Sequence, residues 1–410
     1  MKKKSLALFF ALLGLALFIP HSLFGQEENE KPVVEIEFSG LKKTRESYMQ
    51  RKVKDFYGKT MSESFMHDLE TALQGEELFS SIEFQNEEVE NGIKVRVQVK
   101  ERISFIVLPM FSVSSSSLSG GLFAFDTNAF GIKDTFALGG LVGKKSAFAL
   151  AAFSKPAKDL THPGYSVAAS FSMGESEISN IDNETVFSYE SKGFSASLSL
   201  LEQFNKYWSA SIGLGAGYAD FKEEKEGLES GLKGQLSASL SFNTNDWNGC
   251  FMSGEHIIAS SALALNTEKN TNQSAHLTFS VEEPLLKKLR FLFSASAKIQ
   301  HKGDVTDLFD RSSIHSFTLP DNFKTDKGAA TWAGFEYALF NPSLATISAY
   351  ALYEAVIVED WDDSKVFCHG PVFGSKLYLK KIALPAMSLC LAYNIPKSAF
   401  QFVFSVGMTF

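Results

Sequence analysis

Three short stretches carry residue types that could do chemistry. Gly143-Lys144-Lys145-Ser146 has the glycine and lysine of a phosphate-binding loop, in which backbone amides and an ammonium group hold the anion. Its spacing is wrong for that task, because the lysines follow the first glycine directly, so it reads as a tight polar hairpin. Cys368-His369 offers a thiolate and an imidazole, both zinc ligands, with no third ligand nearby. Asp360-Trp361-Asp362-Asp363 gathers carboxylates as a calcium loop does, but lacks the loop glycine and the distal glutamate, and reads as a solvated turn. No Gly-x-Ser-x-Gly elbow is present. Cys250, Cys368 and Cys390 are odd in number, far apart and without a C-x-x-C pair, so no disulfide framework is expected. Catalytic residues, cofactors and metal ligands are therefore not expected.

What remains is the hydrogen-bonding chemistry of the backbone, and the strands that would expose it. In Phe400–Phe410, Phe400, Phe402, Phe404, Val406, Met408 and Phe410 fall on one side. Gln401, Val403, Ser405, Gly407 and Thr409 fall on the other. A strand turns successive side chains to opposite faces. One face here is oily and the other mostly small or polar, as in a barrel with lipid outside and a wet lumen inside.

The start of the chain supplies an address. Lys2, Lys3 and Lys4 precede an apolar run from Leu6 to Ile19, then Pro20 and Gly25, the order of a secretory leader over residues 1–25. No later stretch approaches the twenty or so apolar residues of a spanning helix, which excludes a helical membrane protein. Yet apolar residues make up 45% of the chain, 38 of them Phe, spread at the period of two by which lipid-facing strands escape hydropathy plots. The net charge is −8 and no basic tract follows the leader, so nucleic acid is not an expected partner.

Two regions follow different rules. Residues 32–101 read as β-α-α-β-β. Val33–Phe38 alternates as a strand, Arg45–Phe56 has helical spacing closed by Gly58, and Ser62 caps a helix carrying Phe65, Leu69 and Leu73. Ser81–Glu88 and Ile93–Lys100 form a hairpin about Asn91-Gly92. From Ile103 helical spacing vanishes and alternation takes over, as in Phe194–Leu200, Leu236–Phe242, Ala275–Glu282, Phe291–Ile299 and Phe335–Leu339. About sixteen such runs predict a sixteen-stranded antiparallel transmembrane β-barrel over 105–410, an even number bringing both ends to one side. Short junctions at Thr127–Lys133, Asn243–Gly249 and Asn341-Pro342 alternate with longer polar ones at Gly174–Thr185, Lys222–Ser230, Asn266–Gln273 and Lys302–Lys327. A large soluble β-sandwich is the rival reading, and it would not need the aromatic terminus.

Three signatures then stand in order: Phe38-Ser39-Gly40 with Gly58 and Glu77-Leu78-Phe79-Ser80-Ser81-Ile82; Asp126-Thr127-Asn128-Ala129-Phe130-Gly131; and Phe400-Gln401-Phe402 through Gly407 to Phe410. Together they resemble the BamA-type outer-membrane assembly, or bacterial surface antigen, superfamily, with residues 32–101 as a single POTRA-like domain. The chain departs from that family in two ways. Lys302–Lys327, matching its sixth outer loop, carries Phe317-Thr318-Leu319-Pro320-Asp321-Asn322-Phe323 with Arg311 as its only arginine, and no Arg-Gly-aromatic motif. One POTRA-like unit stands where core insertases carry several. Both departures fit a reduced, accessory or divergent member.

The resemblance implies an outer-membrane protein of a Gram-negative cell, its POTRA-like domain in the periplasm, that helps insert or translocate other outer-membrane proteins. Its partners would be unfolded clients, the lipid bilayer, and periplasmic chaperones or accessory lipoproteins. It also implies a lateral seam between first and last strands, here joining Ile106–Val113 to Phe400–Phe410 and involving Pro109, Phe400, Phe402, Phe404, Gly407 and Phe410. Pro109 cannot donate a ladder bond and Gly407 permits a kink, although an edge bend and close packing would explain them equally. Strand Ser81–Glu88, with Ile82 and Phe84, would take clients by β-augmentation; Glu83, Glu87 and Glu88 on it serve equally as protection against aggregation. Alternation turns Glu282, Lys298 and Glu336 into the lumen, where Arg311 and Asp321 of the long loop could be pinned. A passive porin or a surface antigen or adhesin is the alternative, and a barrel lipase comes last.

Overall fold

A computed structural model describes residues 31–406, except 114–117, 145, 158–161, 224, 226, 249–250, 267–270, 302–304, 343–344 and 380–386. The expected leader, Cys250, Gly407 and Phe410 lie outside the described residues.

The amino-terminal unit runs β1 (Val33–Ser39), α1 (Glu46–Lys52), α2 (Glu63–Gln74), β2 (Phe79–Val89) and β3 (Gly92–Glu101). The expected helix over Arg45–Phe56 is shorter: it ends at Lys52, and Lys54–Phe56 forms a 3-10 turn. Residues three apart are eclipsed in a 3-10 turn, so this step brings Phe56 to the side of Val53, and both are buried. Ser62 caps α2 by accepting the Phe65 amide at 3.0 Å, and the helix buries Phe65, Leu69 and Leu73. The sheet order is β1-β3-β2, with β1 parallel and β2 antiparallel to β3. The edges are therefore β1 and β2. Val95, Val97 and Val99 of β3 meet both helices in one core.

The second region is a sixteen-stranded antiparallel barrel. Its strands are β4 (Phe105–Val113), β5 (Leu118–Asp126), β6 (Thr135–Gly143), β7 (Ser146–Lys155), β8 (Gly164–Ser179), β9 (Thr185–Gln203), β10 (Trp208–Phe221) and β11 (Gly231–Asn243). A three-residue strand, β12 (Asp246–Asn248), sits in the turn before β13 (Phe251–Asn266), β14 (Thr271–Leu286) and β15 (Leu289–Gln300). A long loop carries the short pair β16 (Phe309–Asp310) and β17 (Lys324–Thr325). It leads to β18 (Lys327–Phe340), β19 (Ala345–Glu359), β20 (Lys365–Leu379), β21 (Met387–Asn394) and β22 (Ala399–Val406), and the strand order returns β22 to the side of β4.

Burial follows alternation. On β15, Arg290, Leu292, Ser294 and Ser296 point inward and are buried, while Ile299 faces out. On β10, Ile212 and Leu214 are 61% and 62% exposed, the outward row of a membrane wall. No helix among the described residues is long and apolar enough to cross a membrane.

The far-side hairpins differ from the sequence reading. The polar stretch Gly174–Thr185 is not a long loop, because β8 continues to Ser179 and pairs with β9, Glu175 opposite Glu190 and Glu177 opposite Ser188. Beyond the membrane both faces of a ribbon can be wet, so polar residues do not end the pairing.

Candidate functional site

The barrel closes where β22, its last strand, lies beside β4, its first. Consecutive strands are joined by runs of partnered residues, such as Phe105–Val113 against Asp126–Leu118. Among the described residues β21 and β22 have 8 each, against 19 in β9. Pro109 lies opposite Leu122 of β5 on the outward face. Phe400 and Phe402 are 67% and 61% exposed, and the Tyr393 ring packs 4.7 Å from Phe400. Phe404 stands opposite Leu389.

The long loop between β15 and β18 folds into the lumen. Asp310 caps the 3-10 turn Arg311–Ile314 by accepting the Ser312 and Ser313 amides. The chain then presents the Phe317 and Thr318 amides to the buried Glu354 carboxylate of β19, at 3.0 and 2.9 Å. Asn394 of β21 donates to the Thr318 carbonyl at 3.2 Å. The Phe317 ring meets Trp332 edge-on at 6.1 Å. Leu319 and Phe323 join Ile181, Val356, Val358 and Cys368 in a buried cluster. Arg311 pairs with Asp321 and donates to the Leu319 carbonyl at 2.9 Å, so these two expected residues meet within the loop itself.

Glu336 does not join them. It belongs to a second buried group nearer the amino-terminal unit, centred on Arg290. Arg290 Nε donates to Glu336 at 3.0 Å, Nη2 donates to Glu336 at 2.7 Å and to the Tyr378 hydroxyl at 2.8 Å, and Nη1 pairs with Glu282. Lys376 lies 3.8 Å from Glu336, and the Arg290 guanidinium caps the Phe251 ring at 4.5 Å. Two carboxylates and two cations balance, the condition for burying charge. Lys298 stands apart, its ammonium 4.9 Å from the Phe309 ring of the loop. Sequence reasoning missed Glu354 and Arg290. Alternation alone could have found both, since each is a charge in an otherwise inward-facing row.

Cys368 and His369, adjacent in sequence, face opposite sides: Cys368 is buried inside, while His369 Nδ1 shares a hydrogen bond with the exposed Tyr353 hydroxyl at 2.6 Å. They cannot share a metal ion. Asp360 instead accepts the Ile181 and Trp361 amides.

The amino-terminal unit is bonded to the barrel through the turn 127–134. Lys43 Nζ donates to Asp126 at 2.7 Å, Asn128 Nδ2 to Thr44 at 2.9 Å, and the Arg45 amide to the Gly131 carbonyl at 2.8 Å. Gly131 has φ +79, and a Cβ there would lie 2.2 Å from the Lys43 carbonyl. Burial raises the Glu76 carboxyl, but Lys133 of this turn and Lys52 outweigh it and hold it below its ordinary 4.5. Burial likewise opposes ionisation of Glu101, yet bonds from Thr44 and the amides of Lys43 and Lys42 hold it low. Helix α2 approaches β12, so the unit spans part of the near mouth. On edge strand β2, Ile82 and Phe84 are half-buried against the core, and Glu87 and Glu88 pair with Arg96 and Lys31.

This is the architecture of a large membrane barrel with a small α/β unit at one mouth and a loop inside the lumen. The fold is that of BamA from Haemophilus ducreyi lacking POTRA domains 1–3, with TM-score 0.53, 15% identity, and coverage of 93% of this chain and 85% of that one. It is equally that of CdiB from Acinetobacter baumannii, with TM-score 0.57, 11% identity and 92% and 74% coverage. CdiB from Escherichia coli matches with TM-score 0.52, 12% identity and 95% and 91% coverage. No protein-family model and no curated protein matches the sequence.

Proposed function

We propose that this protein resides in the outer membrane and assists the insertion or translocation of other outer-membrane proteins. Its amino-terminal unit is a POTRA-like domain standing in the periplasm. The observation that carries this reading is the fold, a sixteen-stranded barrel closed by its first and last strands with a small α/β unit at one mouth and a loop in the lumen, as in BamA and CdiB; the lateral seam is read at the junction of β4 with β22. An incoming strand can pair there through its backbone, which requires no particular sequence. The free edge of β2 receives the client first, with Ile82 and Phe84 behind it, and hands it to the seam. Unfolded barrels are the clients; chaperones or lipoproteins would act upstream of β2.

The test is site-specific photocrosslinking in cells. A crosslinker at Phe402 or at Ile82 is expected to trap immature outer-membrane proteins, and depletion is expected to leave such proteins unassembled. Adducts confined to lipid, with every other barrel assembled normally, would refute the reading.

A passive channel is the second reading, favoured by the serine-lined inner wall of β8–β11. It requires a large, steady conductance in planar bilayers. The inserted loop argues for a small or interrupted one.

A further inference from the structure

Residues 42–59 carry seven Lys and Arg against Glu46 and Asp55, in a chain whose net charge is −8. Some of these cations are bound internally: Lys43 pairs with Asp126 and Lys52 with Glu76. Arg51 is different. It is exposed at the end of α1, its guanidinium 5.9 Å from the Tyr48 ring, and among the described residues no carboxylate lies within ion-pair distance.

Arg51, Lys52 and Tyr48 form one wall of a cleft of about 40 Å³, whose other wall is Ile132, Pro156 and Ala157 from the first two near-side turns. Lys155, directly before Pro156, holds its ammonium 5.6 Å from the Tyr165 ring. Tyr165, Phe153 and Phe130 form a continuous row, with ring centroids 5.9 and 5.8 Å apart, and Phe130 is 60% exposed. Aromatic girdles mark the level of the lipid headgroups, and a lysine beside one keeps its charge at that level. Arg51 therefore borders a cleft at headgroup depth, and Lys155, one residue before its Pro156 wall, stands where the cleft meets the apolar surface.

We propose that this cleft binds the phosphate of an anionic phospholipid in the leaflet facing the amino-terminal unit, with the acyl chains lying along Phe130, Phe153 and Tyr165. Arg51 supplies paired donors to the phosphate oxygens and Lys155 a point charge. The aromatic row selects a lipid over a free anion, because a free anion gains nothing from it. The bound lipid ties the unit to the membrane beside its protein contacts. The inference needs only the membrane barrel and stands apart from any role in client handling.

The test uses the full-length protein in detergent, titrated with phosphatidylglycerol or phosphatidylcholine and read by native mass spectrometry. Each cation near an anionic lipid is worth about fivefold in affinity, so Arg51→Glu with Lys155→Glu should weaken phosphatidylglycerol retention by about 25-fold or more. Arg51→Lys with Lys155→Arg should retain it. Lys54→Glu with Lys59→Glu, away from the cleft, should leave it unchanged. Heat-modifiable migration on gels verifies that each barrel is folded. Equal retention of phosphatidylcholine, displacement by equimolar inorganic phosphate, or equal weakening by the Lys54 and Lys59 pair would overturn the proposal.

Discussion

The two walls of the lumen are made of the same element and built on opposite plans. Along β19 the inward row Thr346, Ser348, Tyr350, Leu352, Glu354, Val356 and Val358 is buried throughout. The inserted loop covers its upper part and the Arg290 group its lower part. Along β9 and β10 the inward row is Ser195, Ser197 and Ser199 beside Ser211, Gly213 and Gly215, with hydroxyls meeting across strands, as at Ser211 and Ser239, 2.8 Å apart. One wall is packed like a soluble core, the other lines water. Large side chains inside a barrel need something to pack against, and only the β15–β21 side has it. Closure of the lumen is thus a property of one wall, and the seam lies at that wall's end.

The largest break in this contrast should come from Arg290→Ala. It strands Glu282 and Glu336 without their partner, and losing one side of a buried ion pair costs about 3–5 kcal/mol. The folded-to-unfolded transition on heated gels should fall well below that of the parent barrel; an unchanged transition would mean the group contributes nothing to the packed wall. Next comes Glu354→Ala, which leaves the Phe317 and Thr318 amides unsatisfied at about 1–3 kcal/mol each. The loop should leave the lumen, seen as higher single-channel conductance and protease cleavage near Asp321.

Acid should act on the base. Glu76 and Glu101 are held below 4.5 in the folded state, so their contribution is complete above that pH and is lost as pH falls through their lowered values. Proteolysis between Glu101 and Phe105 should accelerate as pH falls below 4.5. The smallest effect belongs to the open wall: Ser197→Ala should change stability by no more than about 0.5 kcal/mol. A larger loss there would mean that wall is packed after all.

Much of the fold was legible because alternation is a local property. Phe291 to Ile299 faces out and Phe335, Tyr337 and Leu339 face out, as period two requires. The amino-terminal unit was equally readable from Ser62, Gly58 and Asn91-Gly92. What the sequence hid are contacts between distant segments. Asn128-Ala129-Phe130-Gly131 could be read as a turn, yet its glycine is needed because Lys43, from another region, comes so close. The loop over 302–327 has no periodicity, and its anchor sits on β19, so neither its destination nor the split between the Arg311–Asp321 pair and Glu336 could be inferred. The register of β4 against β22 depends on closure of the whole cylinder, which no stretch of sequence encodes.

Because the two donors at the loop tip are main-chain amides, the grip of Glu354 is blind to side-chain identity. Any residue except proline at positions 317 and 318 can supply the same bonds. The acid's hold on the tip thus survives a change of letter at these two positions, even where the packing of Phe317 on Trp332 would be lost. A signature search that looks for conserved letters in the loop will then pass over a working fastener.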